Sequence, residues 1–203
     1  TDGHRLSKME ATVAGTSATA TMLIPLKAIS ELRRLTDRAR SEKVATLTIQ
    51  QSGPHAFFTV SGMMFSVKLV DAQFPPYQQV IPASPARTVR APRLPFIDAL
   101  KAIQLAASDR TGSVKLALVP GALRITAQSA ETGEGFDEIA VDYDGPEMAI
   151  GMNAKYPLDV LGAIDEEEVT LGLSGELDPL LISPAVASAA GDYVAVIMPT
   201  RLV

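Results

Sequence analysis

"LPFIDALKAIQLAASDRTGSVKLALVPGALRITAQS" (residues 94–129) carries two different periods in one run. Phe96, Ile97, Leu100 and Ile103 fall on one face of a helix, whereas Val114, Leu116 and Leu118 alternate as in a half-buried strand. "PGA" (120–122) is a turn signal, and "LRITAQS" after it is the partner strand of a hairpin. The run predicts a helix followed by antiparallel strands, not the strand–helix–strand crossover of a parallel sheet.

Working outward, the same unit recurs twice. "MLIPLKAISELRRLTDRARSEKVATLTIQ" (22–50) reads as a strand end, a helix, a polar turn and a strand. Leu26, Ile29, Leu32 and Leu35 form the expected apolar stripe of its helix, and Val44, Leu47 and Ile49 belong to the strand. "EMAIGMNAKYPLDVLGAIDEEEVTLGLSG" (147–175) is the third copy. Asn153 suits the N-cap, Pro157 the first turn and Asp159 the positive end of the helix dipole. Val160, Leu161 and Ile164 face inward, and Val169, Leu171 and Leu173 form the next strand. Repeated helix-plus-antiparallel-strands units predict an α+β fold, with helices on one face and sheets on the other.

Two proline-rich stretches bear on organisation. In "FSVKLVDAQFPPYQQVIP" (65–82), Phe65, Val67 and Leu69 alternate as a strand before the prolines stiffen the chain by fixing φ. Phe74 and Tyr77 are expected to anchor this connection. "PASPARTVRAP" (82–92) is the linker candidate, with one copy of the unit before it and two after. Residues 1–82 then read as half a domain and 83–203 as a whole one. Opening in strand-like sequence without Met, the chain reads as part of a longer polypeptide.

Composition narrows the function classes. The chain has 203 residues, of which 47% are hydrophobic and 20% charged, enough apolar content for a packed core. It has no cysteine, and its two histidines, His4 and His55, lie far apart, so neither a disulfide framework nor a zinc cluster is expected. No apolar run approaches the length of a membrane span, and the first ten residues do not read as a signal peptide. A net charge of −5 argues against general polyanion binding, but not against a local basic face.

Catalytic patterns are missing. No glycine-rich phosphate loop opens a helix, and no serine sits in a nucleophile elbow. "TGEGFDE" (132–138) reads as a turn and "DEEE" (165–168) as a solvated acidic turn. His4 has no visible catalytic partner. No cofactor or metal is implied. The first helix, in contrast, carries Lys27, Arg33, Arg34, Arg38 and Arg40 with Lys43 just beyond, while Lys101 and Lys155 lie on the other two. A locally basic face on an acidic protein suits salt-sensitive, sequence-blind phosphate contact.

Four blocks then carry a resemblance. "TDGHRL" (1–6), "KLVDAQFPPYQQVIP" (68–82), "GMNAKYPLDVL" (151–161) and "MPTRL" (198–202) together resemble the bacterial DNA polymerase III beta subunit family, the replicative sliding clamps. The resemblance implies a non-catalytic, three-domain chain that forms a head-to-tail homodimer around duplex DNA in the cytoplasm. Residues 1–82 would be the second half of the middle domain and 83–203 the last domain. DNA polymerase III alpha subunit, the clamp loader and repair proteins would bind through a short, mostly apolar peptide motif.

Position by position, the resemblance implies a peptide pocket made of Thr1, Gly3, His4, Arg5 and Leu6 with Pro75, Gln79 and Val80. To these it adds Asn153, Tyr156, Pro157, Leu177 and Pro179, then Val196, Ile197, Met198, Pro199, Thr200, Arg201 and Leu202. Such a set offers apolar walls with Arg, His and Asn to fix a peptide's polar atoms, and Met suits a surface that accepts many partners. Gln79 stands where the family often has Arg, Thr200 where it often has Met, and Val203 extends the usual tail. The resemblance turns Lys27, Arg33, Arg34, Arg38, Lys101 and Lys155 toward DNA and puts Leu105 and Ala106 at the dimer interface. Two other readings compete: a fragment of an enzyme whose site lies in an absent N-terminal region, and a stand-alone peptide-binding module.

Overall fold

The computed structural model describes residues 1–13, 20–43, 46–107, 112–129, 133–187 and 191–201. The chain divides into two compact units: residues 1–13 with 76–203, and residues 14–75.

In the larger unit, the run 94–129 folds as expected. A strand β5 (Arg87–Pro92) leads into a helix α2 (Arg93–Gln104), followed by strands β6 (Ser113–Val119), β7 (Ala122–Ser129) and β8 (Gly133–Ala140). The same order then repeats: strand β9 (Met148–Asn153), helix α3 (Lys155–Leu161), and strands β10 (Glu168–Leu173), β11 (Leu180–Pro184) and β12 (Asp192–Ile197). Each copy lends its first strand to the other. Strand β9 pairs antiparallel with β6, completing a sheet ordered β8-β7-β6-β9, and β5 pairs with β10. A further strand, β1 (Arg5–Glu10), adds to β12, so the second sheet runs β1-β12-β11-β10-β5. All pairings are antiparallel, and α2 and α3 pack together, giving an α+β architecture of repeated units.

Phe96, Ile97, Leu100 and Ile103 of α2 are buried in one core with Leu116, Leu123, Ile125, Ile150, Leu161, Leu171, Ile182 and Ile197. Gly121 takes a φ of +78° in the β6–β7 turn, a conformation that L side chains rarely adopt. The supposed linker 82–92 is strand from Arg87 onward, and the Arg87 guanidinium donates to the Ser174 carbonyl at 3.3 Å.

"TGEGFDE" is not a turn. From Gly133 it is strand β8, paired with β7 from Ser129↔Gly133 to Ala122↔Ala140. Gly135 serves packing: a Cβ there would lie 2.8 Å from the Cβ of Ala106, so β8 can approach the end of α2 only where the side chain is absent. Of the acidic stretch 165–168, Asp165, Glu166 and Glu167 lie in the connection from α3 to β10, and Glu168 opens β10. There Arg93 donates to the carbonyls of Glu166 (2.7 Å) and Asp165 (3.5 Å) in the connection and to that of Leu161 (3.3 Å), which the end of α3 leaves unpaired.

The smaller unit is a helix α1 (Leu26–Ser41) with strands β2 (Thr48–Ser52), β3 (His55–Val60) and β4 (Met63–Lys68) in the order β2-β3-β4. Its buried residues are Ala28, Ala39, Ala56, Phe58 and Val60. Here the expected stripe is wrong: Leu26 is 81% and Ile29 45% exposed. A helix advances about 100° per residue, so each three-residue step falls about 60° short of a turn and Leu26 ends opposite Leu35. The inward positions are Ala28, Leu32, Leu35 and Ala39, spaced four, three and four apart. In β4, Phe65 and Val67 alternate with exposed Ser66 and Lys68, as expected. Val44 lies outside the described residues.

Candidate functional site

"TDGHRL" folds into a self-tied turn. The Asp2 Oδ1 accepts the backbone N–H of both His4 and Arg5 at 3.0 Å, an Asx turn made possible by Gly3 at φ +87°. Thr1 closes it, its Oγ1 donating to the Arg5 carbonyl at 2.7 Å and accepting the Gly3 N–H at 3.2 Å. The turn delivers Arg5 and Leu6 into register with β12, opposite Ile197 and Val196.

The Arg5 side chain reaches from this turn to α3. Its Nε donates to Asp2 Oδ2 at 3.1 Å and its Nη1 to Asp159 Oδ2 at 2.5 Å, with the guanidinium carbon 4.7 Å from the centre of the Tyr156 ring. The His4 ring lies 13° from parallel with Tyr156 at a centroid distance of 6.4 Å. The Asp159 carboxylate, then Asp2, holds the Arg5 guanidinium above its ordinary pKa against partial burial. Burial raises the Asp2 carboxyl, but the His4 and Arg5 N–H groups and the guanidinium outweigh it, leaving it below its ordinary value. The N-cap of α3 is Ala154 and not Asn153 as expected; Asn153 ends β9 one residue before it, its Oδ1 accepting the Lys155 N–H at 2.9 Å.

The C-terminal segment completes the cluster. Met198 donates its N–H to the His4 carbonyl at 2.8 Å, and Thr200 donates to the Gly151 carbonyl at 2.7 Å, bridging onto the edge of β9. Residues 198–200 thus run from one sheet of the unit to the other. Beside them, on the β6–β7–β8 face, lies a groove of about 590 Å³ with Thr200 and Arg201 at its rim.

The residues expected in the pocket do not all come together. Thr1, Gly3, His4, Arg5, Tyr156, Met198 and Pro199 cluster, with half-buried Asn153 at the start of α3. Leu6, Pro157, Val196 and Ile197 are core side chains, with Val196 1% and Ile197 0% exposed, so they support the surface from beneath. Gln79 and Val80 lie in a 3-10 turn, Tyr77–Val80, of the same unit. Lys8, on β1, is raised above its ordinary pKa first by its hydrogen bond to Glu10. Leu177 is exposed and Pro179 half-buried just ahead of β11, while Pro75 belongs to the other unit and Leu202 lies outside the described residues. Tyr77 is half-buried, and Phe74 is exposed rather than sunk into a core. Asp2 and Asp159 join the site without having been expected there. Asp2 is legible as the start of an Asx turn before Gly3; nothing local marks Asp159 as the partner of Arg5.

The cations are all exposed. On α1, Arg34 pairs with Glu31 at 3.3 Å and Arg38 with Glu42 at 2.9 Å, whereas Lys27 and Arg33 have no ion pair among the described residues. Lys101 lies on α2 and Lys155 on α3. Leu105, directly after α2, is 81% exposed, and Ala106 packs partly against the core. Among the described residues, no group of three or more His, Asp or Glu side chains could hold a metal ion.

Residues 78–201 match the family model of the C-terminal domain of the DNA polymerase III beta subunit, and residues 1–76 that of its central domain. The whole chain is 35% identical to the beta sliding clamp of Proteus mirabilis and 32% identical to that of Caulobacter vibrioides, covering 53% of each. Among solved structures, the sliding clamp of Pseudomonas aeruginosa superposes with a TM-score of 0.91 at 32% identity, over all of this chain and 54% of that one. A Bartonella birtlesii clamp solved with griselimycin bound gives 0.89 at 31% identity, over all of this chain and 53% of that one. The chain spans about half the length of these relatives. By both family models and by identity along its full length, the chain belongs to the DNA polymerase III beta subunit family of sliding clamps.

Proposed function

We propose that this chain is the C-terminal part of a bacterial processivity clamp, residues 1–82 being the second half of its middle domain and 83–203 its last domain. The complete protein is a non-catalytic, cytoplasmic homodimer that encircles duplex DNA. It tethers DNA polymerase III alpha subunit, the clamp loader and repair proteins through the surface formed by residues 1–5, the start of α3 and residues 198–201. One observation carries this reading. Three segments far apart in sequence are joined by the Met198–His4 hydrogen bond and the Arg5–Tyr156 stack into a single surface that mixes apolar walls with a few polar groups. Exposed Lys27, Arg33, Lys101 and Lys155 suit a loose hold on phosphates, and Leu105 suits an interface between protomers.

Titrating a fluorescent peptide of the Gln-Leu-x-Leu-Phe type into the folded chain tests the pocket. Saturable binding in the micromolar range is expected, and none at tens of micromolar would remove the assignment. Encirclement is tested with the full-length protein, which is expected to stay on circular DNA and leave linear DNA through its ends.

A further inference from the structure

The groove on the outer face of β6, β7 and β8 begins where the proposed peptide surface ends. Thr200 belongs to both. Its N–H donates to the carbonyl of Gly151, the β9 partner of Lys115, and its Oγ1 lies 3.5 Å from the Ser113 Oγ. From there, Lys115, Thr126 and Phe136 are cross-strand partners in one row, with Gln128 and Glu134 paired in the next. Their chain neighbours Val114 and Ile125 are buried on the opposite face of the sheet, so these rows face outward.

The groove is cationic on an acidic chain. Lys115 and Arg201 are exposed and make no ion pair among the described residues. Glu134 accepts the Gln128 Nε2 at 2.8 Å. Two cations against one carboxylate leave the groove with a net charge of +1, on a chain whose net charge is −5. Phe136, at the β8 side, is 63% exposed. A bare aromatic ring near unpaired cations complements a segment that carries carboxylates and an apolar side chain.

We infer that this groove takes an acidic, extended segment of the same partner chain, directly flanking the apolar motif. The inference rests on the proposed peptide surface. Continuity fixes the occupant: Thr200 and Arg201 line both places, so a chain seated on one enters the other without leaving the protein. From β6 to β8 is about 10 Å, two strand spacings, which about four extended residues span with ease. Joining the two contacts makes the second intramolecular, so even weak charge pairing raises the overall affinity. The net charge of the whole chain repels an acidic peptide, so a gain must come from the local cations.

Fluorescence anisotropy with the 203-residue chain tests this, each protein being checked by thermal melting. Gln-Leu-Ala-Leu-Phe is compared with versions extended by Glu-Glu-Val-Glu at either end, and with Lys-Lys-Val-Lys and Ser-Ser-Val-Ser in the same places. The groove flanks one side of the peptide surface, so one of the two Glu extensions is expected to bind about fivefold tighter than its Ser counterpart, a gain that shrinks as salt rises. Lys115→Glu is expected to leave the bare peptide unchanged, abolish that gain, and transfer it to the Lys extension at the same end. Phe136→Ser weakens the extended peptide alone and carries the test if Lys115→Glu does not fold. No gain from either Glu extension, an equal gain at both ends, or a gain that survives both variants overturns the inference and leaves the peptide surface standing. Binding of none of the peptides overturns both.

Discussion

Met198 and His4, near opposite ends of the chain, are joined by a backbone hydrogen bond of 2.8 Å that extends the β1–β12 pairing by one step. Met198 therefore leaves β12 with its backbone fixed next to His4, whose ring stacks on Tyr156, and it is half-buried. If it anchors a peptide, Met198→Ala removes the side chain without disturbing that hydrogen bond. Affinity for the Gln-Leu-x-Leu-Phe peptide is expected to fall by about 1–3 kcal/mol, with the melting temperature little changed. Equal affinity in wild type and variant would show that Met198 is only part of the wall's support.

Arg93 is expected to matter for stability and not for the peptide surface. Its side chain donates to three carbonyls between Leu161 and Asp165–Glu166, and its own N–H donates to Glu167 at 2.8 Å. Arg93→Met keeps the aliphatic stem but leaves those carbonyls to water. A loss of about 1–3 kcal/mol in urea unfolding is expected. Arg93→Lys recovers only part of it, because an ammonium cannot reproduce the planar fork.

Gly135 offers a two-residue test of the packing between β8 and the end of α2. A methyl group there meets the Ala106 Cβ at 2.8 Å and Ile103 Cδ1 at 3.3 Å. Gly135→Ala is expected to destabilise the fold by about 1–3 kcal/mol through overpacking. Ala106→Gly in the same chain removes the obstructing methyl and returns part of that loss, read as a positive coupling in a double-mutant cycle. Additive effects would mean that β8 relaxes away from the helix.

These interactions separate what local periodicity can reveal from what it cannot. The α2 stripe at 96, 97, 100 and 103 mixes three- and four-residue steps, follows the helix, and is buried as expected. The α1 stripe at strict three-residue spacing drifts around the helix, and its first two leucine and isoleucine positions end in solvent. Glycines at 133 and 135 look like a turn because their composition is that of turns, yet the cause of Gly135 is a helix distant in sequence. Periodicity tells which face of a strand is buried but not which strand lies beside it. The exchange of β5 and β9 between copies, and the docking of β1 on β12, were therefore hidden. The site positions came from the resemblance of four blocks to a family. The structure adds that Val196 and Ile197 lie beneath that surface, and that Asp2 and Asp159 organise it.

Lys27 and Arg33 provide a test of the basic helix that ion pairing makes selective. Arg34 and Arg38 already have Glu31 and Glu42 as partners, so removing either also releases an acidic group. Lys27→Gln with Arg33→Gln removes two cations without doing so. If α1 faces DNA in the full-length clamp, this pair is expected to lower the salt dependence of DNA retention by about one unit of log–log slope for each phosphate no longer neutralised. An unchanged slope would turn α1 away from the duplex.

Acid should unlock the N-terminal turn in a predictable direction. The Asp2 carboxyl sits below its ordinary value of 3.8 because the His4 and Arg5 N–H groups and the Arg5 guanidinium outweigh the effect of burial. A depressed folded-state value means that the unfolded chain takes up the proton more readily. Asp2 therefore stabilises the turn above pH 3.8, and the contribution is lost as pH falls through its folded-state value. Carboxyl NMR titration is expected to give Asp2 a midpoint below 3.8, with the His4 and Arg5 amide resonances moving on the same curve. In Asp2→Asn those amide resonances lose that transition. A midpoint at or above 3.8 would mean that the two N–H bonds and the guanidinium do not hold the charge in solution, and that Arg5 is left to Asp159 alone.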